Sequence, residues 1–380
     1  MKYLIIAGEA SGDLHGSELI KALKAADAQA RFRFLGGDLM TAAAGVEPLV
    51  HYREMAHMGF IDVLRHLKPI LGFLRTAKDA VSTWHPDAVV LIDYPSFNLK
   101  VARHAHESGI PTVYFISPKV WVWKQWRVKA IKRDVDAMCC ILPFEPAFYR
   151  RHDYDATYVG NPTVAELARA RAAMVSREDF CRQHALDASR HIIALVPGSR
   201  VKEIRDNLPS MLTAAMRHPD CHLALAAAPG IDRSVYDGII GSLPVTVVEN
   251  DTWTLVHHSR VALVTSGTAT LETAILGTPQ VACYRMTGNK WLYSFYRRLL
   301  KGNYVTLPNL IANRGIIPEL LIHQCSPENI DHHLAPLLAD SSERRQQLDG
   351  YAEVMTLLGT DNCAANTAAC IANLISAPKQ

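Results

Sequence analysis

Short, almost unbroken apolar runs recur along the chain, each followed by a turn and then by a stretch with helical spacing. Residues 3–7 lead into Gly8-Glu9-Ala10-Ser11-Gly12-Asp13 and a helix to residue 26. Residues 32–35 end in Gly36-Gly37, 88–92 in Asp93-Tyr94-Pro95, 112–116 in Ser117-Pro118, 137–142 in Pro143, and 157–159 in Gly160-Asn161-Pro162. A strand that is apolar at every position is covered on both faces, and parallel neighbours need crossover helices. The pattern therefore predicts a doubly wound parallel α/β sheet. Residues 163–190 are charged and helical, with no strand. The rhythm restarts at 192–196, ending in Pro197-Gly198-Ser199-Arg200. It continues through 222–226, 245–248, 261–264 (ending in Thr265-Ser266-Gly267-Thr268) and 280–284 (ending in Arg285). From residue 327 onward the pattern is helical only. The expected organisation is a Rossmann-like domain over 1–165, a second over 190–326, and a helical tail over 327–380 that packs back on the first domain or on a partner subunit. Two such sheets in tandem put their strand ends across one cleft, where open α/β sheets bind ligands.

Composition narrows this picture. A length of 380 residues suits two domains, and 49% hydrophobic residues exclude a disordered or collagen-like chain. The net charge of +3 is too weak for wholesale nucleic-acid binding, so any such argument falls to local patches. The first residues enter a strand with no apolar signal core before them, and no apolar run approaches the ~18–20 residues of a spanning helix. The expected location is the cytoplasm. Eight cysteines are scattered without a C-x-x-C pair and read as buried free thiols rather than disulfides. Seventeen histidines form no metal-ligand spacing, and the adjacent pairs His257-His258 and His332-His333 point apart. No metal site is expected.

Four strand-to-helix turns carry candidate chemistry. In Gly8 to Gly16 the glycines let backbone approach a ligand, and the helix N-terminus offers unpaired N–H groups. The turn is neither G-x-G-x-x-G nor a P-loop, so neither a dinucleotide nor an ATP site follows. The plain alternative is a turn capped by Asp13 or Ser11. Pro197-Gly198-Ser199-Arg200 adds a guanidinium to a helix N-terminus, a combination that suits a diphosphate; otherwise Arg200 stands in solvent. In Ser266-Gly267-Thr268-Ala269-Thr270-Leu271-Glu272 a small-residue loop opens a helix that Gly277 and Pro279 end. Glu272 can accept both hydroxyls of a ribose, or simply complement the helix dipole. Asp93 closes a fully apolar strand, where desolvation raises a carboxyl pKa toward that of a general base; otherwise it is a turn residue before Pro95.

Taken together, these pieces resemble the lipid-A-disaccharide synthases, bacterial glycosyltransferases of the two-Rossmann (GT-B) class. The matching segments are Gly8 to Asp13, Asp93 to Asn98, Ser117-Pro118-Lys119-Val120-Trp121-Val122-Trp123, Leu142-Pro143-Phe144-Glu145, Pro197 to Arg200, Ser266 to Glu272, Tyr284-Arg285-Met286 and Tyr304-Val305-Thr306-Leu307-Pro308-Asn309-Leu310. They occur in family order along nearly the whole chain. Tyr94 and Ser96 vary the strand-end motif, and Gly160-Asn161-Pro162 stands where some members have Gly-His. The resemblance implies transfer of sugar from UDP-2,3-diacylglucosamine to the 6-hydroxyl of 2,3-diacylglucosamine 1-phosphate (lipid X). A β-1,6 disaccharide and UDP result, with inversion. It places the base at Asp93, with Glu9 as competitor. It puts Arg200, Ser199, Ser266, Gly267 and Thr268 on the diphosphate in place of a metal, and Glu272 on the ribose. Arg285 and Asn309 fall near the nucleotide, and Glu9, Ser11, Gly12 and Asn98 near the sugars. No cofactor is implied, and a homodimer is left open.

Acylated substrates direct attention to the inner-membrane surface. Residues 60–78 place Phe60, Val63, Leu64, Leu67, Leu71 and Leu74 on one helical face, with Pro69 as a kink. Ile61 and Phe73 fall off that face, among Arg65, Lys68, Arg75 and Lys78. This reads as a lipid-facing helix, or as a core helix with two stray apolar residues. Residues 119–133 hold six basic residues, three tryptophans and no acid. Such a run suits a membrane interface or single-stranded nucleic acid; no nucleic-acid motif accompanies it, so nucleic acid is not expected as a partner. The expected location becomes the cytoplasmic face of the inner membrane. Competing functions are another GT-B UDP-sugar transferase, a UDP-sugar epimerase, or a nucleotide-sugar-binding regulator without turnover.

Overall fold

A computed structural model describes residues 1–56, 67–285, 304–360 and 362–376. The chain divides into two compact units, Met1–Pro162 with Thr360–Gln380, and Thr163–Gly359.

The first unit is built on a parallel sheet of β1 (Lys2–Ala7), β2 (Arg31–Gly36), β3 (Val50–His51), β4 (Ala88–Ile92), β5 (Thr112–Phe115), β6 (Ala137–Cys140) and β7 (Thr157–Tyr158). The strand order is β3-β2-β1-β4-β5-β6-β7. Side chains alternate across a strand, so an all-apolar strand feeds two cores. Leu4 and Ile6 of β1, with Val89 and Leu91 of β4, pack against Val101 and Ile131 on one face. Ile5 and Ala7, with Val90 and Ile92, pack against Leu19, Ile20, Leu23 and Ile371 on the other. Each fully buried Leu, Ile or Val among them contributes about 1.5–3 kcal/mol relative to exposure.

The second unit repeats the plan with β8 (Ile192–Val196), β9 (His222–Ala227), β10 (Val245–Glu249), β11 (Val261–Thr265), β12 (Gln280–Tyr284) and β13 (Glu319–Leu321), all parallel, in the order β10-β9-β8-β11-β12-β13. In each sheet the winding reverses once. β1 lies between β2 and β4, and β8 between β9 and β11. The crevice at such a reversal, outside the carboxyl ends of the strands, is where this architecture binds ligands.

Two strands escape the sequence pattern. β3 and β13 lie at sheet edges and are too short for periodicity to show. Residues 163–190 form helices Pro162–Ala173 and Arg177–Gln183. Beyond residue 326, helices Pro327–Leu338 and Ser342–Leu358 belong to the second unit, where Leu334 and Leu337 enter the core and Gln347 brackets the backbone of Gln280. Helix Cys363–Ser376 belongs to the first unit. It packs on helix Ala10–Ala26, and Asn366 donates to the Val159 carbonyl at 3.2 Å. All eight cysteines are thiols outside any disulfide, with Cys221 and Cys370 half-buried and the rest buried. Pro69 sits in the first turn of helix Leu67–Trp84, where its missing N–H is not needed.

Candidate active site

In the first unit the winding reversal brings Gly8 and Glu9, after β1, beside Asp93 and Tyr94, after β4. Asp93 and Tyr94 both adopt left-handed backbone, with φ of 43° and 46°. Non-glycine residues in that region carry strain of order 1–3 kcal/mol each, so the surroundings must hold them there. Asn98 does so: it is fully buried, and its side-chain amide donates to the carbonyls of Ile92 at 3.1 Å and Asp93 at 2.8 Å. The Tyr114 hydroxyl donates to the same Asp93 carbonyl, and the Asp93 N–H donates to Phe115 at 3.1 Å. Gly8 is required because a Cβ there would lie 2.5 Å from the Tyr94 ring. The result is a carboxyl held in fixed backbone at a strand end. Burial pushes the Asp93 pKa up, the Glu9 charge pushes it further, and Lys119, the Tyr94 N–H and His15 pull it partly back.

Glu9 occupies a different environment. It is exposed at the N-cap position of helix Ala10–Ala26 and accepts from the Ser11 hydroxyl at 2.9 Å. Gly12 is buried at the close approach of that helix to β1, where a Cβ would meet Ala7 at 3.0 Å. Asp13 does not cap its own helix. Its buried carboxylate accepts from the N–H groups of Gly37, Leu39 and Met40 at 2.7, 3.1 and 3.1 Å, and so caps helix Asp38–Ala44.

The loop after β5 is pinned from below. Glu145 is buried and accepts from the Trp121 indole at 3.2 Å and the Leu142 N–H at 3.0 Å. Burial raises its pKa to about 7. Trp121 turns inward, edge-on to Phe144 at 5.0 Å. Trp123 and Trp126 turn outward and are 52% and 67% exposed. Lys124 lies over the Trp123 ring at 4.1 Å and Arg127 over Trp126 at 5.8 Å. Arg127 also donates to the Ser96 hydroxyl at 3.0 Å, tying this loop to the Asp93 turn. Of the lipid-facing residues expected upstream, Phe73 packs against the core of the first unit instead of standing clear of it. Its position on helix Leu67–Trp84 turns it toward the sheet. Ile61, Arg65 and the side chain of Lys68 lie outside the described residues.

In the second unit the reversal brings together Ser199 and Arg200, after β8, and Ser266, Gly267 and Thr268, after β11. Gly198 has φ of 115°, and a Cβ there would lie 2.7 Å from the Glu203 carboxylate. Glu203 accepts from the Ser199 N–H at 3.1 Å and pairs with the exposed Arg200 at 3.3 Å. The loop is thus already organised by an acid that the sequence pattern did not single out. Gly267 starts helix Thr268–Ile275 and has open space around its Cα. Glu272, in that helix, accepts from the Trp253 indole at 2.8 Å; burial raises its pKa, and the Glu166 charge adds to the rise. Arg285 follows β12, its N–H on Asn207 at 2.7 Å and its guanidinium on the Ser210 hydroxyl. Asn309 is not at this crevice as a free ligand group. Its amide donates to Ile317 and Glu319 and accepts from the N–H groups of Ile316 and Ile317, so all of its capacity holds backbone and the Glu319 carboxylate. A separate cavity of about 300 Å³, lined by Arg177, His191, Arg260 and Arg344, lies by the amino ends of β8 and β11 and holds none of the expected residues. Among the described residues, no three His, Cys, Asp or Glu side chains converge as a metal site.

Comparison with known proteins gives this geometry a context. The family model described as "LpxB: Lipid-A-disaccharide synthetase" matches residues 3–373. A lipid-A-disaccharide synthase of Acidobacterium capsulatum is 39% identical over 375 residues, covering 94% of this chain and 92% of the relative. That of Myxococcus xanthus is 38% identical over 384 residues, covering 98% and 97%. Among solved structures, a UDP-GlcNAc 2-epimerase of Neisseria meningitidis bound to UDP-GlcNAc superposes with a TM-score of 0.67 at 13% identity, covering 98% of this chain and 99% of that one. The calicheamicin glycosyltransferase CalG4 superposes with 0.58 at 16% identity, covering 99% of each. At such identities the structures establish the GT-B fold alone. Sequence identity separates transferase from epimerase where the fold does not, and on it the chain belongs to the LpxB family of lipid-A-disaccharide synthases, which are glycosyltransferases.

Proposed function

We infer that the chain transfers diacylglucosamine from its UDP donor to the 6-hydroxyl of 2,3-diacylglucosamine 1-phosphate, forming the β-1,6 disaccharide and releasing UDP. Inversion follows from one displacement. The acceptor oxygen attacks the anomeric carbon, the bond from that carbon to the UDP oxygen breaks, and UDP leaves with the electron pair. Asp93 takes the hydroxyl proton. The observation that carries this role is its carboxyl at the end of β4, half-desolvated beside Glu9 and fixed by Asn98 and Tyr114. A raised pKa makes a stronger base. Glu9 serves as a charge that tunes Asp93, a reading supported by its exposure and its bond to Ser11. Arg200, the Ser266 hydroxyl and the amides of Gly267 and Thr268 meet the diphosphate, whose charge grows as it leaves; the Ser266 N–H is already given to the Cys283 carbonyl. Arg200 then exchanges Glu203 for phosphate. Glu272 accepts from the ribose. Arg285 is held close to the nucleotide through Asn207 and Ser210.

Both substrates carry acyl chains, so the enzyme works at the cytoplasmic face of the inner membrane as a peripheral protein. No helix among the described residues is long and apolar enough to cross a bilayer. The test is incubation with UDP-diacylglucosamine and the monosaccharide 1-phosphate, with UDP and disaccharide read by mass spectrometry. Release of UDP without disaccharide overturns the reading.

A further inference from the structure

We propose that the outward face of the loop Trp123–Arg133, with Trp123 and Trp126 as its apolar tips, is the surface by which the first unit docks on anionic lipid. The proposal rests on the peripheral-membrane reading above and names the part of the molecule that performs it. Three observations converge. First, the loop splits its tryptophans by direction. Trp121 is half-buried against Phe144 and Glu145, while Trp123 and Trp126 are more than half exposed. An indole has an apolar body and one N–H, which makes it stable at the boundary of acyl chains and head groups and costly in water. Second, the charge is of one sign. Lys124 and Arg127 lie against the two exposed rings, and Lys129, Lys132 and Arg133 follow within one short helix, Val128–Asp134. Among the described residues, Arg133 pairs with Asp134 and Lys132 lies 3.9 Å from Asp153. A cation-rich surface around apolar tips complements an anionic bilayer. Third, the Arg127 bond to Ser96 joins this loop to the turn that carries Asp93. Lipid at the tips then meets an element bonded to helix Pro95–Glu107, which begins two residues after Asp93.

The experiment uses the full chain and sucrose-loaded vesicles, either pure phosphatidylcholine or equal parts phosphatidylcholine and phosphatidylglycerol. The parent sediments with the mixed vesicles, its tryptophan emission shifts to the blue, and added salt weakens binding. Trp123→Ser with Trp126→Ser lowers the partition constant on the order of tenfold or more and abolishes the shift, since each indole buries a large apolar area. Lys129→Gln with Lys132→Gln lowers it about fivefold per cation and flattens the salt dependence. Both variants keep the parent's melting temperature and UDP affinity. They also keep turnover on substrates in neutral detergent micelles and lose it on vesicles. If the tryptophan variant binds mixed vesicles as the parent does, the surface assignment is overturned while peripheral association stands. If the parent fails to bind mixed vesicles, both fall. If the parent binds a single-stranded oligonucleotide more tightly than the mixed vesicles and the tryptophan variant loses that binding, the loop is a nucleic-acid surface and the proposal is overturned.

Discussion

Asp93 and Glu9 are two carboxylates at one strand boundary with unlike surroundings, and the roles proposed for them differ accordingly. A base acts when deprotonated, so turnover rises with pH through the Asp93 pKa, which burial and the Glu9 charge hold above the usual carboxylate range. Asp93→Asn is expected to lower kcat by roughly 10²–10⁴ with UDP affinity unchanged. Glu9→Gln is expected to move the acidic limb of the pH–kcat profile to lower pH and to leave the plateau near that of the parent. A plateau that collapses in Glu9→Gln and survives in Asp93→Asn would exchange the two roles. Glu145 offers a stability test of the same physics. Its pKa rises from 4.5 to about 7 on folding, so the folded state binds the proton more tightly and stability falls as pH climbs through that window. Glu145→Gln removes one acceptor oxygen and carries no charge. Its destabilisation relative to the parent, read by urea unfolding, should therefore be largest near pH 4.5 and shrink toward pH 8. A constant difference would mean that Glu145 has the same pKa in the folded and unfolded chain.

At the scale of elements, the two turns at the reversal of the first sheet are fitted to each other. Gly8 leaves room for the Tyr94 ring, and Asn98 and Tyr114 hold the strained backbone beneath it. Gly8→Ala should cost about 1–3 kcal/mol through overpacking and lower kcat by displacing Asp93. Adding Tyr94→Ala should restore much of the stability, and thermal unfolding of the four proteins in the cycle reads the coupling. Additive losses would show that the ring and the glycine do not meet. This fit also marks what a sequence can convey. β1, β4, β8 and β11 were legible because central strands are apolar on both faces, and the turns after them were legible because glycines and charges interrupt those runs. β3 and β13 were not, since two or three edge residues have no period. Asn309 reads as a ligand group because an amide in a motif has one spelling for two duties, and only the folded contacts show both of its atoms on backbone and Glu319, whereas Asn98 ties backbone through its NH2 alone. Glu203, Trp253 and Glu319 went unread for the converse reason, their partners being distant in sequence or reached only through a folded turn.

At the scale of the whole molecule, helix Cys363–Ser376 covers the face of helix Ala10–Ala26 that presents Leu19, Ile20 and Leu23. Deleting residues 360–380 should lower the unfolding temperature of the first unit and spare the second, which scanning calorimetry resolves as a split or widened transition. A uniform downward shift of a single transition would show instead that the two units melt as one. The second unit, Thr163–Gly359, is an insertion in the first by connectivity: the backbone leaves the first unit after Pro162 and returns at Thr360. This has a consequence for biogenesis. Domains made on the ribosome fold as their segments emerge, in order from the N-terminus. Here that order inverts. The seven strands of the first sheet are synthesised early, yet the helix that closes one of their faces emerges only after every residue of the second unit. The portion of the enzyme that carries Asp93 is begun first and finished last, and until then an open apolar face is the part of the nascent chain most in need of a chaperone.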